Sequence, residues 1–124
     1  MSEIRATTIS DAAGTGPITL TGQSAAKAWV NFNGLGTIAI RESFNGSSLS
    51  DIGTGDYRLN FSSSMNTATY SFSIGSSAAV NNDGFNRSSV ASNTASQGAV
   101  NHYESSGTAT DTDLLTLNIF GDLA

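Results

Sequence analysis

His102 and Glu104 stand two residues apart in Asn101-His102-Tyr103-Glu104, a spacing that places both side chains on one face of an extended strand. A carboxylate beside an imidazole can orient it as a general base. Such a base also needs a nucleophile within reach. The abundant serines include no Gly-x-Ser-x-Gly elbow, so the pair reads as an ordinary surface histidine with a carboxylate neighbour. Asp111-Thr112-Asp113 and Asn81-Asn82-Asp83-Gly84 offer oxygen ligands to a hard cation. Neither has the spacing or closing glutamate of a calcium loop, and Asx-rich runs are the usual material of turns. The chain has no cysteine, which removes disulfides and cysteine-ligated zinc. No catalytic residue, metal or cofactor is expected.

The stretch best suited to contact a ligand is Asn82, Asp83, Phe85, Asn86 and Arg87. An exposed aromatic ring flanked by amides, a carboxylate and a guanidinium can stack on a sugar and hydrogen-bond its hydroxyls. The competing role is structural, with Phe85 pinning its loop to the domain or packing against a neighbouring subunit. Glycosylation patterns begin at Asn45, Asn60 and Asn86, and they matter only on a secretory route.

The elements that must position these residues are strands. In 27–45, KAWVNFNGLGTIAIRESFN, period two puts Trp29, Asn31 and Asn33 on one face and Ala28, Val30 and Phe32 on the other. Both faces are partly apolar, so the pattern does not choose the buried one. Past Asn33-Gly34-Leu35-Gly36, Ile38 and Ile40 share a face, which predicts an antiparallel hairpin with positive φ at Asn33 or Gly34. Alternation also predicts strands at 57–61, with Tyr57, Leu59 and Phe61 inward, and at 69–74, with Tyr70, Phe72 and Ile74 inward. Truncating Phe61 or Phe72 to alanine is then expected to cost about 3–5 kcal/mol. The 115–120 run is apolar on both faces, which predicts a central strand. Residues 23–28 are small enough for one helical turn, and 46–53 reads as a short connection. Residues 75–98 read as a long exposed loop or an edge strand near Ser88–Ser92, and strand-like chemistry resumes at 99–104. The architecture expected is an all-β, jelly-roll-like antiparallel sandwich over 23–124, preceded by an extended arm over 1–22.

Composition narrows the partners. Only 12% of the 124 residues are charged, and 20 Ser, 14 Thr, 11 Asn and 13 Gly supply most of the polarity. The net charge is −5, with Arg5, Lys27, Arg41, Arg58 and Arg87 scattered singly. That leaves no basic stripe for nucleic acid. The N-terminal MSEIRATT lacks an apolar signal core, and no run is long enough to predict membrane insertion. Synthesis in a cytoplasm is the expectation.

Three segments carry a resemblance: ISDAAGTGPITLTGQSAAKAWVNFNGLGTIAIRESFN, TGDYRLNF and the final IFGDLA. Over residues 3–61 and the last six, the chain resembles a module of tail-fibre and other virion proteins of tailed bacteriophages, with AKAWVNFNG the most specific part. The resemblance implies a structural protein of the virion, assembled in the host cytoplasm. It would be a homotrimeric tail-fibre or receptor-binding component held to other virion proteins by the N-terminal arm, with a host surface glycan as a further partner. A capsid decoration or cement protein is the alternative of the same kind, and a carbohydrate-binding module the alternative of another. The variable stretch 75–112 matches no pattern of that family.

Overall fold

The computed structural model describes residues 25–76, 85–87 and 92–124, together with Ala13. The expected arm, Ala13 apart, and half of the 75–98 loop therefore lie outside the described residues. Among the described residues the chain forms eight strands: β1 (Ala28–Asn33), β2 (Ala39–Phe44), β3 (Gly46–Gly53), β4 (Asp56–Phe61), β5 (Ser71–Ser76), β6 (Phe85–Arg87), β7 (Gln97–Tyr103) and β8 (Leu115–Phe120). They build two four-stranded antiparallel sheets, ordered β2-β1-β8-β5 and β3-β4-β7-β6. The all-β sandwich expected from the alternation is the architecture found.

The core lies between the sheets. From the first it takes Ala28, Val30, Phe32, Leu115, Leu117 and Ile119, and from the second Tyr57, Leu59, Phe61 and Val100. Alternate residues of β1, β4 and β8 supply it, so period-two sequence becomes a two-faced sheet. The register settles the ambiguity in β1. Ala28, Val30 and Phe32 stand opposite Ile119, Leu117 and Leu115 of β8, a wholly apolar row. Trp29 is thereby turned outward. β8 is central in its sheet, as its apolar character on both faces predicts.

Several expectations are corrected. Residues 46–53 form a full edge strand, paired with β4 from Gly46 to Gly53. Its register shifts twice, between Gly46 and Ser48 and between Asp51 and Gly53, so the inward period slips and the alternation is erased. The stretch after residue 76 contributes an edge strand at Phe85–Arg87, while the expected Ser88–Ser92 lies, but for Ser92, outside the described residues. Residues 25–27 are not helical, and β1 starts at Ala28. In the β1–β2 loop the positive φ belongs to Gly36, at 68°. The Asn33 side chain closes that loop by donating to Leu35 O (2.9 Å) and accepting from Leu35 N (3.2 Å). β5 begins two residues later than expected, because Tyr70 leaves the ladder to donate its hydroxyl to Gln97 O at 2.6 Å.

Asn45 makes the corner where the chain passes from one sheet to the other. Its φ of 54° is the left-handed region that asparagine tolerates. Its side chain donates to Lys27 O (3.1 Å) and Ser63 O (2.9 Å) and accepts from Ser63 N (2.7 Å).

Candidate functional site

At one end of the sandwich three loops meet on the Tyr57 hydroxyl. The ring is buried, set edge-on to Phe32 with centroids 5.3 Å apart. Its single proton is shared between Gly34 O at 2.7 Å and Asp111 Oδ1 at 2.6 Å. The same carboxylate oxygen accepts from Gly55 N at 2.7 Å, and Gly34 N donates to Thr112 O at 2.9 Å. His102 lies beside this hub. Its backbone N–H donates to Gly55 O at 2.8 Å, and its carbonyl accepts from Thr110 N at 3.2 Å. Its Nδ1 faces Thr110 O at 3.0 Å, so Nδ1 carries the proton and Nε2 is left enclosed without a partner.

This placement corrects the reading of His102 as a surface residue: it is 1% exposed. Glu104 lies beyond the end of β7 and accepts from the Ser106 hydroxyl at 2.8 Å. Sequence spacing suggests a dyad, but the fold gives the imidazole a backbone carbonyl instead. An enclosed Nε2 cannot reach a substrate, so the cluster serves as a clasp between loops. Asp111 is engaged in the same clasp, and among the described residues no group of three or more His, Asp or Glu side chains is placed to hold a metal.

Burial, with the Asp111 hydrogen bond and charge behind it, pushes the Tyr57 hydroxyl far above its ordinary value. Burial alone pushes Tyr70 up to about 12. Below about pH 10, tyrosine is neutral in folded and unfolded chains, and the ionisation of neither group affects stability. Above that the unfolded chain releases protons that the folded chain keeps, so stability falls as pH rises. Each protected tyrosine steepens the fall by up to about 1.4 kcal/mol per pH unit. For Tyr70 the fall levels off near its folded value of about 12. Urea unfolding between about pH 9 and pH 12 is expected to show this loss, with a shallower slope in Tyr57→Phe and in Tyr70→Phe. An unchanged slope in both variants would refute the assignment.

The residues singled out in the sequence for ligand contact are only partly placed. Asn82 and Asp83 lie outside the described residues. Phe85, Asn86 and Arg87 form β6, the edge of the second sheet, paired with Tyr103, His102 and Asn101. Asn60, at a glycosylation pattern, sits in a polar lattice. It donates to the hydroxyls of Ser48 (2.9 Å) and Ser50 (3.0 Å) and accepts from Gln97 Nε2 at 2.6 Å. That lattice, with the Arg58–Asp56 ion pair, makes the outer face of the second sheet polar.

The outer face of the first sheet differs. Phe44 stands opposite Trp29, and Trp29 opposite Asn118 of β8. Phe120, two residues on from Asn118, turns to the same side opposite Ser71 of β5. Beside Phe120 a cavity of about 210 Å³ opens, lined by Asn66, Thr67, Thr69, Ser71 and Asp122 among others. Its walls are tied together: Asn66 N donates to Asp122 O at 2.8 Å, Met65 bridges to Leu123, and the Thr67 and Thr69 hydroxyls lie 3.0 Å apart. Sequence reasoning missed these residues. Thr67, Thr69 and Asp122 look like turn formers, and only the pairing of 62–70 with the C-terminal segment makes them one site.

Comparison with protein-family models, with curated proteins and with solved structures finds no match to this chain.

Proposed function

We propose that the chain is a structural protein of a bacteriophage virion, a homotrimeric tail-fibre or receptor-binding component attached to the particle through residues 1–22. The observation that carries this reading is the exposure of large apolar side chains along one margin of the sandwich: Leu35 and Ile52 at 57% and Phe44 at 54%. Leu35 precedes β2, Phe44 ends it and Ile52 lies in β3, so all three belong to the two edge strands joined at the Asn45 corner or to the loop before them. Both edges carry bulges, which hinder continuous sheet extension from copy to copy. Side-chain contact in a closed assembly suits such edges better than strand addition, and closed symmetry is the rule for homo-oligomers. The sequence resemblance gives the same direction.

Light scattering on the full chain tests the assembly. The expected mass is that of three copies, falling to one in the Phe44→Glu, Ile52→Glu double variant with the β-sheet circular-dichroism spectrum retained. A monomer at every concentration, with no copies of the chain in purified particles, would overturn the proposal.

A further inference from the structure

We infer that the cavity beside Phe120 is a binding site for one residue of a neutral glycan. The inference deepens the receptor-binding reading above and rests on it for its biological setting. Its physical case is separate.

Size comes first. About 210 Å³ falls below the roughly 300–1,000 Å³ of sites for drug-sized ligands. A site of that size suits one small polar ring rather than a longer ligand. Chemistry comes second. Phe120 offers an aromatic wall for the C–H face of a pyranose, and Thr67, Thr69 and Ser71 offer hydroxyls. Among the described residues, no hydrogen bond of the fold engages the Asn66 side-chain amide or the Asp122 carboxylate, so both are free to meet ligand hydroxyls. A carboxylate accepting from a hydroxyl is among the stronger hydrogen bonds.

Charge comes third. Asp122 is the one carboxylate of the lining and no basic side chain joins it, which disfavours phosphates, uronic acids and sialic acids. The Tyr70 hydroxyl is turned away to Gln97 O and stays neutral at physiological pH. One carboxylate is too few for a cation site. Preorganisation comes fourth. Bonds from Asn66 to Asp122 O, from Met65 to Ala95 O and from Tyr70 to Gln97 O fix both walls before any ligand arrives, which lowers the ordering cost of binding. Trp29 continues the aromatic surface on the same outer face, in line for the next sugar of a chain.

The test is a titration of the ¹⁵N-labelled full chain with the methyl glycosides of glucose, galactose, mannose and N-acetylglucosamine, followed by amide chemical shifts. Saturable millimolar binding of at least one is expected, with shifts centred on residues 66–71 and 120–122. Asp122→Ala and Phe120→Leu are each expected to weaken it about tenfold. Asp122 is exposed and its backbone contact does not depend on the side chain, so that variant keeps the fold. Absence of saturable shifts with all four glycosides would overturn the inference. So would shifts centred on Phe85–Arg87 or binding that Asp122→Ala leaves intact. Light scattering on the same samples separates the two claims: a trimer that binds no sugar overturns the site alone, and a monomer that binds one overturns the assembly alone.

Discussion

Gly55→Ala is expected to destabilise the domain by roughly 3–5 kcal/mol, enough to leave much of the chain unfolded. Two causes add. The φ of Gly55 is +65°, which disfavours any residue with a Cβ. That Cβ would also collide with His102 O and lie 2.8 Å from Thr110 O and 3.0 Å from Thr110 N. These are backbone atoms of the clasp, so they cannot rotate aside as a flexible side chain would. Gly36→Ala isolates the first cause, because Gly36 has φ +68° and nothing within 4 Å of its would-be Cβ. Its cost is expected to be only about 1–2 kcal/mol. Urea unfolding of both variants at neutral pH makes the comparison. Equal losses would mean that the Gly55 loop does not press on His102 and Thr110, and the description of the clasp would fail.

The clasp also marks the boundary of what the sequence makes legible. Strands β1, β4 and β8 could be read because apolar residues recur at every second position along the inward side of each. Which face of β1 is buried could not be read, since Trp29 makes the outward face partly apolar as well. Only the apolar row of β8 opposite decides it. β3 was illegible for a different reason, because two register shifts break its alternation and serine supplies little contrast. The contacts at Tyr57 join residues 23 and 54 apart in sequence, and the Gly55–Asp111 bond beside them joins residues 56 apart. No local pattern announces a hydroxyl that meets Gly34 and Asp111 at once. His102 illustrates the same limit: its one-face spacing with Glu104 is real in the sequence, yet β7 ends at Tyr103 and the pair separates. The cavity beside Phe120 needs the C-terminal segment folded against residues 62–70 before Asn66 and Asp122 become neighbours.

Phe32→Ala is expected to cost about 3–5 kcal/mol, the range for a fully buried aromatic. Phe32 has no exposed surface, lies over Leu115 in the register and meets the Tyr57 ring edge-on. Truncation opens a cavity between the sheets and removes the aromatic contact that holds the Tyr57 ring beneath Gly34. Phe61, also in the core and edge-on to Tyr70 at 6.0 Å, is expected to show a loss of the same range. Phe72 is different. It packs from the margin and is only partly buried, so the full value expected from alternation falls to about 2 kcal/mol. Denaturant unfolding should therefore rank Phe32 and Phe61 together above Phe72. Phe32→Leu, which keeps most of the volume, should lose about 1 kcal/mol. If Phe32→Ala cost less than about 1 kcal/mol, the inward face of β1 would have to be the one bearing Trp29, and the aromatic outer surface leading to the Phe120 cavity would disappear with it.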